Sequence, residues 1–351
     1  MRNVLITGGA GFIGSNFIEF FMDKYPDYTI INLDMLTYAG NLENLKAVRE
    51  KANYTFIQGD ICDKQLLRHI FRTYNIDSVI HFAAQSHVDN SIRSPQSFIQ
   101  SNIVGTFALL EIAKESWLDT GLNYKTPFGI FHHISTDEVY GSLGSSGLFR
   151  ESTPYAPNSP YAASKASSDM LVRSFHHTYG LKTFITNCSN NYGPRQHHEK
   201  LIPTIINNAL SGNAIPIYGD GGNVRDWLYV LDHCEAIDKV FHSKTYGETY
   251  NIGGNNEYTN IQIAQKICAI LDDIAPKKSG GTYASQITFV RDRLGHDRRY
   301  GIDSSKISAT LGWQQTYLFE DSLRDTIIWY HNIFTQNHKK EFLCNKQSSR
   351  F

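Results

Sequence analysis

The chain has 351 residues, 41% of them hydrophobic, enough to bury one large core and a smaller one, so a two-part fold is expected and disorder is not. Its 33 basic and 34 acidic residues leave a net charge of −1, which argues against the broad basic surface of a non-specific nucleic-acid binder. No apolar run approaches the roughly 20 residues of a membrane span, and the N-terminus enters a strand rather than a signal peptide, so a cytoplasmic protein that meets no membrane is expected.

Short β-branched or aromatic runs alternate with longer amphipathic stretches through the first half, the pattern of βαβ units around a parallel sheet. Strands are predicted over 3–7, 29–34, 54–58, 78–82, 129–134 and 182–187, with helices over 11–24, 64–74, 95–117 and 160–179. Ser159 and Pro160 give the last helix a cap and a first residue. Right-handed crossovers then imply an α/β, Rossmann-type doubly wound parallel sheet. Beyond residue 190 the rhythm breaks into loops rich in Gly, Asn and Asp, read as a smaller C-terminal substrate lobe. The expected division is 1–190 as the dinucleotide-binding domain, completed by about 228–256, then 191–227 and 257–330 as the lobe, and 336–351 as a polar tail.

Five scattered cysteines with no C-x-x-C pair suggest neither disulfides nor zinc, and the His132-His133, His176-His177 and His197-His198 doublets lack supporting ligands, so no metal is expected. The stretch Thr7-Gly8-Gly9-Ala10-Gly11-Phe12-Ile13-Gly14 follows an apolar strand and opens a helix. Gly8 permits a tight turn, Gly11 lets backbone N–H groups approach a pyrophosphate, and Gly14 lets the helix pack close to the sheet. Asp34 ends the next strand, 20 residues after Gly14, where a carboxylate accepts from the adenosine ribose and repels a 2′-phosphate. NAD is therefore the expected cofactor. Asp60 can accept from the adenine amino group or be a plain turn aspartate. The small residues Ala83, Ala84 and Ser86 leave room for a dinucleotide across the strand ends, and His87 faces a substrate there or caps a loop.

Tyr161 and Lys165 lie one helical turn apart on one face, an arrangement in which a cation can stabilise a phenolate. Thr136, 25 residues before Tyr161, can hydrogen-bond the alcohol being oxidised. The glycine turn and the Thr136, Tyr161, Lys165 set resemble the extended short-chain dehydrogenase/reductase family. Ser135-Thr136-Asp137-Glu138-Val139-Tyr140-Gly141, Leu36-Thr37-Tyr38-Ala39-Gly40-Asn41, Asn187-Cys188-Ser189-Asn190-Asn191-Tyr192-Gly193-Pro194 and Gly295-His296-Asp297-Arg298-Arg299-Tyr300 are similar, more narrowly, to the dTDP-glucose 4,6-dehydratases. The related epimerases usually lack the Asp-Glu pair. The resemblance covers residues 1 to about 330.

The resemblance implies a hydro-lyase acting on a nucleotide-activated hexose. Tyr161 takes the carbon-4 hydroxyl proton as hydride passes to NAD⁺, Glu138 the carbon-5 proton, and Asp137 protonates the departing carbon-6 hydroxyl. Neighbouring carboxylates in a poorly solvated cleft resist double ionisation, which separates one acid from one base. Phe12, Ile13, Leu36, Thr37, Ile61, Asn102 and Asn191 complete the cofactor set that the resemblance implies. Asn190, Lys200, Leu201, Pro216, Tyr218, Arg225, Asn260, Arg293 and His296 complete the substrate set, the arginines being surface residues on the alternative reading and Tyr218 core. Homodimerisation through the 95–117 and 160–179 helices is implied as well. Two departures stand out, Asn90 where the family commonly has Arg and Leu294 where it commonly has Pro. The competing functions are a nucleotide-sugar 4-epimerase, which needs only Thr136, Tyr161 and Lys165, and an NAD-binding sensor without turnover.

Overall fold

The computed structural model describes the backbone of residues 2–348 and the side chains of residues 2–336. Six strands follow one another through the first half: β1 (Arg2–Thr7), β2 (Tyr28–Asp34), β3 (Tyr54–Gln58), β4 (Ser78–His81), β5 (Ile130–Thr136) and β6 (Lys182–Cys188). Shorter ones come later: β7 (Asn190–Tyr192), β8 (Ile215–Tyr218), β9 (Val224–Tyr229), β10 (Thr249–Ile252), β11 (Glu257–Thr259) and β12 (Ile287–Val290). Strands β1 to β6 and β10 form one seven-stranded sheet in the order β10-β6-β5-β4-β1-β2-β3, parallel throughout. The direction of winding reverses between β1 and β4, so a crevice opens at the C-terminal ends of these two strands, where ligands bind in such sheets.

The helices are α1 (Phe12–Lys24), α2 (Lys64–Thr73), α3 (Val88–Arg93), α4 (Pro95–Phe98), α5 (Thr106–Trp117), α6 (Pro160–Tyr179), α7 (Leu201–Ser211), α8 (Val230–Phe241), α9 (Asn260–Ile274), α10 (Ser305–Leu311) and α11 (Phe319–Ser348). Helices α1 and α8 cover one face of the sheet through Phe17, Phe21 and Val230; α2, α5 and α6 cover the other through Leu67, Leu109 and Val172. With both faces covered, β4 and β5 are buried along their whole length, which is why they read as unbroken runs rather than alternating ones. Ser159 accepts a hydrogen bond from the Ala162 N–H at 3.1 Å and Pro160 opens α6, a cap contributing about 1 kcal/mol. Helices α7, α9 and α11 pack together beyond the sheet, beside the three-stranded β11-β9-β7 and the β12-β8 pair.

Several expectations need correction. Strand β5 runs two residues further than expected, so Thr136 ends it. The helix expected over 95–117 is interrupted by a π-type turn, Ile99–Gly105, between α4 and α5. That wider turn buries Asn102, whose amide bonds the Gln85 backbone on both sides, at 2.8 and 3.0 Å. Among the described residues, the segment after residue 190 holds five α-helices and a short 3-10 helix, Tyr283–Gln286, rather than mostly loops; α9 begins with a reciprocal capping box of Thr259 and Gln262. Residues up to 348 of the expected polar tail continue α11, and 349–351 lie outside the described residues. Among the described residues, no helix is long and apolar enough to cross a membrane.

Candidate active site

The crevice holds a cavity of about 300 Å³. Its floor is the glycine turn: Gly8 has φ +73°, and a Cβ there would lie 2.6 Å from the backbone of Ala83. A Cβ on Gly14 would lie 2.5 Å from the Gly8 carbonyl oxygen, so this glycine lets α1 start against the turn. Gly11 caps α1 and faces the cavity, with Phe12 and Ile13, so the helix N-terminus with its free N–H groups points at any anion there. Asp34 accepts from the Ala10 N–H at 2.9 Å through one oxygen and from the Leu36 N–H at 2.8 Å through the other. Burial still raises its pKa above the usual carboxylate value. Leu36 takes a left-handed conformation, φ 55°, which folds the 35–41 loop back over Asp34.

Asp60 lines the cavity and also accepts from the Cys62 N–H at 2.9 Å, so the turn-aspartate role is real alongside any other. Thr37, Ile61, Ala83, Ala84, Ser86, Asn190 and Asn191 line the same cavity. Asn102 lies behind it, holding Gln85. His87 caps the short α3 and stands 3.8 Å from Glu199.

Thr136, Asp137, Glu138, Tyr161 and Lys165 converge on the far wall. Asp137 is 1% exposed, and its Oδ2 has no hydrogen-bond partner among the described residues. Burial, reinforced by Glu138 and Asp226 and opposed by Arg225, pushes its pKa well above the usual carboxylate range. Burial raises Glu138 as well, but the positive charges of Lys200, Arg225 and Arg293 oppose that shift. Both carboxyls are therefore raised, Asp137 the more strongly, because three cations temper the rise at Glu138. Burial also raises the Tyr161 hydroxyl well above the usual phenol value, with the Glu138 charge adding and a Thr136 hydrogen bond subtracting. Lys165 is not among the main contributors to this shift, so the lowering of Tyr161 expected from it is not found. The Lys165 Nζ donates to the Ile134 carbonyl at 2.8 Å and lies 3.2 Å from the His133 imidazole, and burial lowers it to about 8.

Of the remaining expected residues only Lys200 lines this cavity; Leu201, Pro216, Tyr218, Arg225, Asn260, Arg293 and His296 lie outside its lining. Lys200 donates to the Ser86 carbonyl at 2.8 Å, and Leu201 opens α7 behind it. Arg225 is 7% exposed, packed over Tyr300 at 4.2 Å, and donates to the Asp297 carbonyl at 2.9 Å, so it is not a surface arginine. Pro216 and Tyr218 share the exposed side of β8, and Arg293 lies 5.3 Å over the Tyr218 ring, which is not core. Arg293 pairs with Asp89 at 2.6 Å and His296 with Asp292 at 2.6 Å; Asn260 is buried at the start of α9. Asn90, next to that pair, carries no charge, and Leu294 is 70% exposed. The structure adds residues that the sequence reading missed: Tyr38, His197, Cys188 and Glu199 line the cavity, and Asp226 and Tyr300 stand behind the carboxyl pair. The signal for Tyr38, Cys188 and Tyr300 was present, since all three fall inside the motifs that carry the family resemblance.

The family described as GDP-mannose 4,6 dehydratase matches residues 5–326. A dTDP-glucose 4,6-dehydratase of Xanthomonas campestris pv. campestris (strain B100) is 53% identical over 330 residues, 94% of this chain and 93% of that protein. The crystal structure of dTDP-glucose 4,6-dehydratase from Bacillus anthracis str. Ames in complex with NAD superposes with a TM-score of 0.83 at 45% identity, covering 95% of this chain and 97% of the other. A UDP-glucose 4-epimerase from Thermotoga maritima, solved with UDP-glucose, has nearly the same TM-score, 0.82, over 95% of this chain and 100% of its own, at only 29% identity. The backbone alone does not separate dehydratase from epimerase, whereas the sequence does. The chain belongs to the family so described, among the dTDP-glucose 4,6-dehydratases of the extended short-chain dehydrogenase/reductases.

Proposed function

We propose that this chain is an NAD-dependent hydro-lyase that converts dTDP-glucose to dTDP-4-keto-6-deoxyglucose. The observation that carries the reading is the Asp137, Glu138 pair at the end of β5, one carboxyl held neutral by burial and the other offset by three cations. The residues present fit NAD: a Cβ would fill the space at Gly8, α1 points its N-terminus into the cavity, and Asp34 stands where a 2′-phosphate would be repelled. When bound, NAD⁺ takes a hydride from carbon 4 of the sugar and returns it to carbon 6.

The protein supplies the rest. Thr136 orients the carbon-4 hydroxyl and Tyr161 removes its proton, with Lys165 and the positively charged nicotinamide favouring the phenolate against burial. The ketone at carbon 4 acidifies the hydrogen on carbon 5, which Glu138 takes. Asp137 protonates the carbon-6 hydroxyl, which leaves as water rather than hydroxide. Glu138 returns its proton to carbon 5 as the hydride reaches carbon 6, and the product keeps its carbonyl, so Tyr161 ends a turnover one proton richer and Asp137 one poorer; both reset before the next. Lys200, Arg225 and Arg293 offer the positive charge that a diphosphate needs, His296 a neutral imidazole beside them, Asn190, Leu201 and Asn260 line its path, and Pro216 and Tyr218 offer a flat surface for the base. Residues 1–190 with 228–256 carry the cofactor, and 191–227 with 257–330 carry the nucleotide sugar. The enzyme works in the cytoplasm as a homodimer, with residues 95–117 and helix α6 at the interface; Ile99, Val104 and Met170 are exposed apolar residues within those two segments.

Incubating the purified enzyme with dTDP-glucose and, separately, UDP-glucose tests this. A product lighter by one water, from dTDP-glucose in preference and without net NADH, is expected. An isomer of unchanged mass would make the protein an epimerase, and NAD binding without any product would make it a sensor.

A further inference from the structure

Behind Lys165, on the side away from the cavity, lies a closed polar cluster that the reaction as described does not use. Strand β5 places His133 and Ser135 on one face, two residues apart, and α6 brings Ser168 and Asp169 against them one turn after Lys165. His133 is 0% exposed, Asp169 2% and Lys165 3%. The His133 Nε2 lies 3.2 Å from Lys165 Nζ and 3.3 Å from Asp169 Oδ1. The other carboxyl oxygen, Oδ2, accepts from Ser135 at 2.9 Å and from the Tyr155 hydroxyl at 3.0 Å.

One nitrogen thus touches both the catalytic ammonium and a buried carboxyl. Ser168 cannot complete that nitrogen by donating, since its hydroxyl proton goes to the Lys165 carbonyl at 2.8 Å. The Ser168 oxygen can instead accept from that nitrogen at 3.2 Å, and Asp169 Oδ1 has no hydrogen-bond partner among the described residues, so the carboxyl acts on Lys165 across the neutral imidazole by its charge.

We propose that Asp169 is a positioning residue for the oxidation step: acting by its charge across His133, it holds Lys165 as the ammonium that lets Tyr161 serve as base. The titratable groups are matched for this. Burial brings Lys165 down to about 8 and Asp169 up to about 7, and each opposes the shift of the other. The other groups facing the cluster are His81 on β4, Cys188 on β6, and Tyr140 and Tyr155 from the chain between β5 and α6. Burial keeps both tyrosines, the thiol and the imidazole neutral, which leaves Asp169 as the one nearby anion for Lys165.

The proposal rests on Tyr161 and Lys165 acting in carbon-4 oxidation, a step that an epimerase would share, so product identity tests the proposed function separately. The experiment uses the full chain with NAD⁺ and dTDP-glucose, following transient NADH by stopped flow across about pH 6 to 9.5. Asp169→Asn removes the anion that raises Lys165, so the basic limb should move down by about one pH unit, with about tenfold loss near pH 8.5 and little near pH 6.5. A uniform loss at every pH, or an unmoved basic limb, would overturn the proposal. Tyr155→Phe, which keeps the carboxyl and removes one of its hydrogen bonds, supplies an independent variant should Asp169→Asn not fold. The acid limb should then move to higher pH because the carboxylate has become harder to form; an unmoved acid limb counts against the proposal.

Discussion

Asp137→Asn separates the two halves of the reaction. Asparagine matches the aspartic acid in shape and, at neutral pH, in charge, because burial, Glu138 and Asp226 all favour the neutral carboxyl. The residue is 1% exposed and its Oδ2 has no hydrogen-bond partner among the described residues, so the substitution breaks no partner's bond there. What is lost is the proton for the leaving hydroxyl. General acid catalysis contributes about 10²–10⁴ in rate, equivalent to roughly 3–5 kcal/mol of barrier at about 1.4 kcal/mol per decade. Oxidation at carbon 4 does not need that proton. In stopped flow with NAD⁺ and dTDP-glucose, the variant should form NADH at close to the wild-type rate and then hold it, while product appears some 10²–10⁴ times more slowly. A variant that makes product within about threefold of wild type, or one that loses NADH formation to the same extent as product, would refute the assignment of Asp137 as the acid.

Glu138→Gln should abolish exchange of the carbon-5 hydrogen with deuterated water, read by mass spectrometry of recovered nucleotide sugar; exchange at the wild-type rate would remove Glu138 from the base role. Gly8→Ala places a Cβ 2.6 Å from the Ala83 backbone at φ +73°, so both thermal stability and the stabilisation gained on adding NAD should fall, and an unchanged NAD-induced rise in Tm would refute the reading of the turn. The Asp137 carboxyl, raised in the folded state, contributes its full stability below the unfolded carboxylate pKa and loses it as pH rises through the folded value. The Tm advantage of Asp137→Asn over wild type should therefore grow from about pH 5 to pH 9; an advantage that shrinks with pH would mean that Asp137 is ionised in the fold.

How much of this was legible in the sequence depends on where each residue sits. The first six strands were readable to within two residues because parallel strands covered on both faces are short continuous apolar runs, and the cofactor turn because its glycines sit at fixed spacing after one of them. The π-type turn at Ile99–Gly105 left no local mark, since a widened helix keeps ordinary helical composition and is chosen by what Asn102 bonds in three dimensions. Helix α7 was obscured by Pro203 and the Asn207-Asn208 pair, each poor helix formers outvoted by burial of Ile202, Ile205 and Ile206. The carboxyl pair was visible as a motif, but not the unequal rise of its two pKa values, which depends on Asp226, Arg225, Lys200 and Arg293, all remote in sequence. The same holds for Arg225, which looked like a possible surface residue until Tyr300 and Asp297 closed over it.

The central claim is that one cofactor molecule stores and returns the hydride within a single turnover, and dTDP-glucose carrying deuterium at carbon 4 tests it most directly. The account predicts a 4-keto-6-deoxy product that has lost one water and carries the deuterium on carbon 6, with none found in free NADH. Deuterium remaining at carbon 4 of a sugar of unchanged mass, or released in reduced cofactor, would contradict it.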